Sequence, residues 1–470
     1  MKRYDLVVIG SGPAGHHAAI QGAKLGKTVA VVEAGPRVGG AGLNTGTIPS
    51  KTLREAAMAL RRGRRAPAGA GALPPWEETA GDVMARCREV VARGVEVYED
   101  QFARNQVEVI FGRAAFLDPH RLLVQGPRES REVWADRIVI ATGTVPARTE
   151  AVPVDGQVIL DTDSVLGLRR APRSMILVGG GVVGLEYACI FAALGVAVTL
   201  VDLRRRLLEF VDTDLVEALC VHMRDAGVTL RLGEEVDRVE RVGEGVVAVL
   251  KSKKHLRAET LLYAAGRQGQ TAALGLAAAG LTPDGRGRLP VDASYRTGAE
   301  HIYAVGDVAG FPGLASVAME QGRLAAAHAF GRPAAFERRL FPYGIYTIPE
   351  LSLVGATEDE LTAAGVPYEV GLARYREIAR GNITGNTSGR LKLLFHRETG
   401  ELLGVHILGD GASELIHIGQ AVMRYRGTIE YFVENVFNYP TLAEGYKVAA
   451  LAGKNRLAEW ESAALAGSTA

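Results

Sequence analysis

Cysteine is nearly absent from this sequence. Only Cys87, Cys189 and Cys220 occur in 470 residues, an odd number with no CxxC pair and no His/Cys ligand spacing, which excludes a disulfide framework and a zinc site. Excess charge is absent too: 54 basic against 53 acidic residues leave no general electrostatic grip on nucleic acid or an anionic membrane. No apolar run reaches the roughly 18 residues that a bilayer crossing needs. The opening MKRYDLVVIGSG enters a strand pattern directly instead of a leader peptide, so a cytoplasmic chain is expected. With 57 glycines and 19 prolines the composition is that of a globular protein, neither collagen-like nor disordered.

What is present is a long chain, enough for roughly three domains, and an internal echo. Residues 4–33, YDLVVIGSGPAGHHAAIQGAKLGKTVAVVE, run apolar strand, glycine turn, helix, apolar strand, acid. Residues 174–202, SMILVGGGVVGLEYACIFAALGVAVTLVD, repeat the order. Gly10, Gly12 and Gly15 precede Glu33, Gly179, Gly181 and Gly184 precede Asp202, and each acid stands 23 residues after its first glycine. In this pattern the first glycine permits a tight turn, the second lets a pyrophosphate approach the backbone, and the third lets helix and strand pack closely. One such motif is weak and two in matched context are strong, so two dinucleotide sites are expected, one for a resident cofactor and one for an exchanging nucleotide.

Between the echoes, residues 51–63 read as a helix and RRGRRAPAGAGALPP as a basic, flexible connection. QVEVIFG, RLLVQG and WADRIVIATG read as an antiparallel meander, and LLYAAGR as a second crossing back to the sheet. Beyond residue 340 strands are grouped before helices, an α+β texture in which SELIHIGQAVMRYRG is amphipathic.

The motifs VVIGSGPAG, GTIPSK, IVIATG, VGGGVVGLE, AAGR, YAVGD and FNYPTLAE, in that order, resemble those of the flavoprotein pyridine nucleotide disulfide oxidoreductases, which include lipoamide dehydrogenase and glutathione reductase. The resemblance covers nearly the whole chain. It implies an α/β fold with two Rossmann-like domains, for FAD and NAD(P), and a C-terminal α+β dimerisation domain. The expected boundaries are 1–148 and 266–338 for the FAD domain, 149–265 for the NAD(P) domain and 339–470 for dimerisation.

The resemblance also implies site residues. FAD, bound tightly but not covalently, would meet Gly10, Ser11, Gly12, Pro13, Ala14, Gly15, Glu33, Lys51, Ala114, Thr142, Gly143, Asp307 and Ala315. The exchanging NAD(H) or NADP(H) would meet Gly179, Gly181, Val182, Val183, Gly184, Glu186, Asp202, Arg204, Arg205, Val236 and Gly266. Lys51, paired with Glu186, would stand by flavin N5, and the helix starting after Leu314 would point its positive end at the flavin. Asp202 suits the 2′-hydroxyl of NAD, while Arg204, with Arg205 in reserve, suits the 2′-phosphate of NADP. No metal is expected, and His406 and His417 are given no catalytic role.

The chain departs from the disulfide reductases at the centre of their chemistry. Gly42 and Thr47 stand where those enzymes carry two cysteines, and Tyr439 replaces the histidine that protonates the dithiol, although Glu444, which would orient it, remains. One branch fits this loss, the soluble pyridine nucleotide transhydrogenases, which implies hydride transfer between NADPH and NAD+ in a homodimer or larger assembly by ping-pong kinetics. Two other readings stay open on the sequence: an NAD(P)H:quinone or dye reductase, and a non-catalytic flavin- or nucleotide-sensing subunit.

Overall fold

The computed structural model describes residues 1–64, 76–310, 312–332 and 340–467. Of the basic connection expected at 61–75, residues 61–64 belong to the helix Thr47–Arg64 and the rest lies outside the described residues. Contacts divide the chain into two compact units, Met1–Pro172 with Asp237–Val249 and His255–Phe336, and Arg173–Val236 with Leu250–Lys254 and Glu337–Ala470.

The first unit is built on the strand Lys2–Ile9, whose VVI run is fully buried. It pairs in parallel with Val29–Glu33 on one side and with the end of Ser130–Ile140 on the other. Strands covered on both faces read as continuous apolar runs, which is why VAVVE carries no alternation. The crossover between the first two strands is the helix Pro13–Lys24, opened by Gly12 with proline at its first position, where the missing N–H costs nothing. Its His16 stacks on Tyr98 at 4.0 Å, and burial pushes the imidazole down to about 4, so it packs as a neutral ring.

The expected meander is only partly right. Glu108–Phe111, the EVIF strand, pairs in parallel with Val29–Glu33, because the 29-residue helix Trp76–Arg104 carries the chain back across the sheet before it. The antiparallel meander is instead Arg113–Phe116, Arg121–Gln125 and Ser130–Ile140, so RAAF is the strand the sequence reading missed. Ile302–Ala304 then joins the far side of Ser130–Ile140.

In the second unit, Ser174–Val178, Ala197–Asp202 and Thr229–Leu232 form a parallel set, with the helix Val182–Ala193 as crossover. The C-terminal part is an antiparallel sheet in the order Tyr343–Ile345, Leu351–Gly355, Leu402–Leu408, Arg390–His396, Tyr368–Arg374. The helices Ala412–Arg424 and Glu444–Gly467 pack on it, around a core that includes Tyr375, Phe395, Phe432 and Tyr446. Among the described residues no helix is long and apolar enough to cross a membrane.

Within this unit a buried ionic cluster joins the nucleotide-binding half to the C-terminal sheet. Lys392, 1% exposed in the middle of an apolar strand, donates to Asp214 at 2.9 Å and to Glu358, and lies 2.9 Å from Asp212 as an ion pair. Asp212 also accepts the Glu358 N–H at 2.8 Å. His406 is buried beside it, with Nε2 on the Ala356 carbonyl at 2.9 Å, and burial holds its pKa below the ordinary value. Three carboxylates around one ammonium offset its desolvation and hold it charged, well above the usual lysine range.

Removing that ammonium leaves the carboxylates without their cation. Lys392→Met is expected to cost about 3–5 kcal/mol at neutral pH. Thermal melts at neutral pH check this; an unchanged melting temperature would show that the cluster contributes nothing.

Candidate functional site

The two glycine turns are built alike. Gly10 and Gly179 have φ of +103° and +108°, a region closed to other L residues. A Cβ on Gly15 would lie 1.9 Å from the Gly10 carbonyl oxygen, and one on Gly184 would lie 1.9 Å from that of Gly179. The first and third glycines are therefore demanded by the protein's own packing. The second is not: a Cβ on Gly12 would come no nearer than 3.7 Å to another atom, and one on Gly181 would meet nothing within 4 Å. Their small size keeps space open above the helix start.

Both helices begin without help from side chains. Neither Gly12 nor Gly181 offers a capping group, and neither first turn contains an acid, so main-chain N–H groups and the positive end of the dipole are left for a ligand. The acid of each echo anchors the turn. Glu33 accepts the Ser11 N–H at 3.0 Å, the Ser11 hydroxyl, and the Gly35 N–H at 2.6 Å. Asp202 accepts the Gly180 N–H in the matching position and also takes the Arg204 side chain. Burial alone would raise the Asp202 carboxyl, but Arg204 and the N–H groups of Arg204 and Gly180 outweigh it and hold the carboxyl below the ordinary range.

In the first unit the segments that carry Asp307 and Ala315 pack against Ala14. A Cβ on Gly306 would sit 3.1 Å from the Ala14 Cβ, and one on Gly322 would sit 2.0 Å from the Ala14 carbonyl oxygen. The loop carrying Asp307 and the helix Ala315–Ala329 are thereby held beside the first glycine turn. That helix is uncapped at Leu314, with no acid in its first turn. Thr142 Oγ1 is buried with no partner among the described residues, and Gly143 turns the chain at φ +65°. Ala114 lies buried in the meander. These features fit a dinucleotide with a polar tail: N–H donors at open helix starts, an anchored acid, and an orphaned hydroxyl.

Sequence reasoning missed Arg267 and Thr144. Arg267 donates to the Thr144 hydroxyl at 2.8 Å and to its carbonyl at 2.7 Å, and the Thr144 hydroxyl donates to Asp307 at 3.2 Å. Arg267 thus holds Asp307 in place through one intermediary. The arginine of AAGR was the available signal, passed over in favour of Gly266, which turns the chain just before it at φ +132°.

In the second unit Glu186 is buried and accepts the Tyr346 N–H at 2.9 Å. Val182 and Val183 form the first turn of the helix, Val183 being 37% exposed. Val236 begins a strand. Lys51 lies in the first unit, in the helix Thr47–Arg64. Neither Lys51 nor Glu186 is without a partner.

The sequence profile of the pyridine nucleotide-disulphide oxidoreductases matches residues 4–322, and that of their dimerisation domain matches 341–450. The chain belongs to this family of flavoprotein oxidoreductases. Family membership implies FAD and NAD(P) as cofactors and self-association through the C-terminal domain. Proteins named soluble pyridine nucleotide transhydrogenase are similar throughout. That of Mycobacterium tuberculosis (strain ATCC 25177 / H37Ra) is 54% identical, over 97% of this chain and 98% of its own. That of Colwellia psychrerythraea is 46% identical over 97% and 98%. Among solved structures, LpdA of Mycobacterium tuberculosis superposes with a TM-score of 0.88 at 29% identity, covering 96% of this chain and 99% of the other. The HOCl-induced flavoprotein disulfide reductase RclA of Escherichia coli gives 0.86 at 27%, covering 95% and 99%.

Two observations bear on the thiol positions of the family. Gly42, at the first cysteine position, lies so close to Pro13 that a Cβ there would stand 2.9 Å from its Cγ. The three cysteines present are all buried, and burial pushes the Cys87 and Cys220 thiols up, away from the reactive thiolate. Tyr439 is 69% exposed, and Glu444 keeps a buried Oε2 with no partner among the described residues. His417 is exposed and bonded to Gln420 at 2.8 Å.

The contrast between the second and third glycines can be checked directly. Gly184→Ala forces backbone apart and is expected to cost about 1–3 kcal/mol or more. Gly181→Ala should leave the melting temperature unchanged while weakening pyridine nucleotide binding. Calorimetric melts and titrations of both variants test it, and equal destabilisation by the two would refute the division of roles.

Proposed function

We propose that the protein is a transhydrogenase that transfers hydride between NADPH and NAD+ without a redox-active disulfide. The carrying observation is the pairing of two complete dinucleotide turns with a closed thiol position at Gly42. Names of relatives at 46–54% identity point the same way. Bound FAD supplies a two-electron carrier that accepts hydride from one nicotinamide and yields it to the other.

In this reading the segments 1–148 and 266–338 hold FAD tightly but non-covalently. Glu33 meets the adenosine ribose, the turn Gly10–Gly15 with Ser11, Pro13 and Ala14 meets the pyrophosphate, and Asp307, set by Thr144 and Arg267, meets the ribityl chain. Ala114, Thr142 and Gly143 line the same pocket. Lys51 and the helix starting at Ala315 supply positive potential where negative charge gathers on the reduced ring, and Glu186 is the second residue assigned to the hydride step. Residues 149–265 take NAD(H) and NADP(H) in turn, with Gly179, Gly181, Val182, Val183 and Gly184 at the phosphates, Val236 and Gly266 beside them, and Asp202 at the adenosine ribose. Residues 339–470 pair two copies as a homodimer, for which Val436, 93% exposed, and Tyr439 supply apolar surface.

One nicotinamide site used twice requires parallel lines in double-reciprocal plots of NADPH against a thio-NAD+ acceptor. Lipoamide and glutathione disulfide should not turn over, since no thiol can carry their electrons. Robust lipoamide reduction, or a quinone strongly preferred over thio-NAD+, would overturn the assignment.

A separate outcome concerns Lys51. Lys51→Met should retain FAD, because the contacts that hold it are far from the lysine, yet be reduced more slowly by NADPH in stopped flow. Unchanged reduction kinetics would remove Lys51 from the site.

A further inference from the structure

The three arginines after Asp202 have three different fates. Arg206 is spent on structure, donating to the Val211 carbonyl at 2.7 Å and to Asp359 at 3.3 Å. Arg205 is exposed, with its Cγ 3.3 Å from where a Cβ on Gly233 would stand, and has no ion pair among the described residues. Arg204 folds back on the acid of the nucleotide motif. Its Nε donates to Asp202 Oδ1 at 2.9 Å and its Nη2 to Oδ2 at 2.8 Å, a side-by-side fork on a carboxylate that also takes the N–H groups of Arg204 and Gly180.

On the sequence Arg204 is the expected contact for the 2′-phosphate, with Arg205 in reserve; in the structure Arg204 is engaged with Asp202 instead. A bare carboxylate at Asp202 would repel the 2′-phosphate of NADP(H), and a site that must accept both nucleotides cannot leave that repulsion in place. Resting on the transhydrogenase reading, we propose that Arg204 is a positioning residue that masks the charge of Asp202, and that Arg205 is the residue that touches the 2′-phosphate. The fork fixes the carboxylate and cancels its charge; together with the Arg204 and Gly180 N–H groups it places two donors on each oxygen, so a ribose hydroxyl of NAD(H) binds by displacing one of them. Tolerance of the phosphate then comes from neutralising the acid, and recognition of it from the neighbouring arginine.

The alternative, direct contact between Arg204 and the phosphate, predicts the same outcome for the single variant. Arg204→Ala weakens NADPH and spares NADH in either case. Asp202→Asn separates the two, because with no charge to mask Arg204 has nothing left to do. The test is calorimetric titration of FAD-loaded protein with NADPH and NADH, for wild type, Arg204→Ala, Arg204→Lys, Asp202→Asn, Arg205→Ala and the Arg204→Ala/Asp202→Asn double variant. Melting temperatures and flavin spectra establish that each is folded.

Arg204→Ala should lose about ten- to hundredfold in NADPH affinity, the range of a charge-assisted contact. Arg204→Lys should recover part of it, and the double variant should recover nearly all of it, a strong positive coupling between neighbouring sites. Arg205→Ala should lose NADPH by a comparable factor with NADH unchanged. An Arg204→Ala loss that persists in the Asp202→Asn background, or an Arg205→Ala variant with undiminished NADPH affinity, would overturn the proposal while leaving the transhydrogenase reading intact. Wild-type protein that binds NADH but not NADPH would overturn both.

Discussion

A carboxylate at the end of one strand reaching back to a main-chain N–H of the glycine turn beside it is the contact on which the rest depends, and the chain makes it twice. Glu33 holds Ser11 and Asp202 holds Gly180, each across a separation of 22 residues. The contact fixes the turn at the level where two parallel strands end, and it leaves the following helix with its first N–H groups uncapped. Placing an acid in the helix itself would have capped those groups and closed the anion site. By putting the acid on the strand, the fold gains an anchored turn and an open positive end together.

The closure at Gly42 follows from that arrangement. Pro13, the residue that starts the first helix, occupies the space a side chain at position 42 would need. The segment that carries thiols in disulfide reductases is here packed against the cofactor turn. Under the transhydrogenase proposal, electrons that reach a bound flavin pass to a second nicotinamide nucleotide and not to sulfur.

Both dinucleotide units were legible in the sequence because their determinants are local: apolar runs of strand length, three glycines with fixed tasks, and an acid at a fixed distance. The family motifs extended that legibility to Asp307 and to the C-terminal sheet. Glu108–Phe111 was misread because an apolar strand looks the same whether its neighbour runs parallel or antiparallel, and the direction was set by the long helix before it. Lys392 and Arg267 escaped because their partners, Asp212, Asp214 and Glu358 in one case and Thr144 in the other, are distant along the chain. Arg204 was read as a phosphate contact since sequence places it two residues past the acid but does not show that its guanidinium turns back on Asp202.

The central claim, that a flavin without a thiol outlet exchanges hydride with both nicotinamide nucleotides, is tested most directly by an anaerobic absorbance titration of the purified, FAD-containing protein. Addition of NADPH should bleach the flavin band, and subsequent addition of NAD+ should restore it with formation of NADH. A flavin that NADPH fails to bleach, or that stays bleached in excess NAD+, would contradict the account.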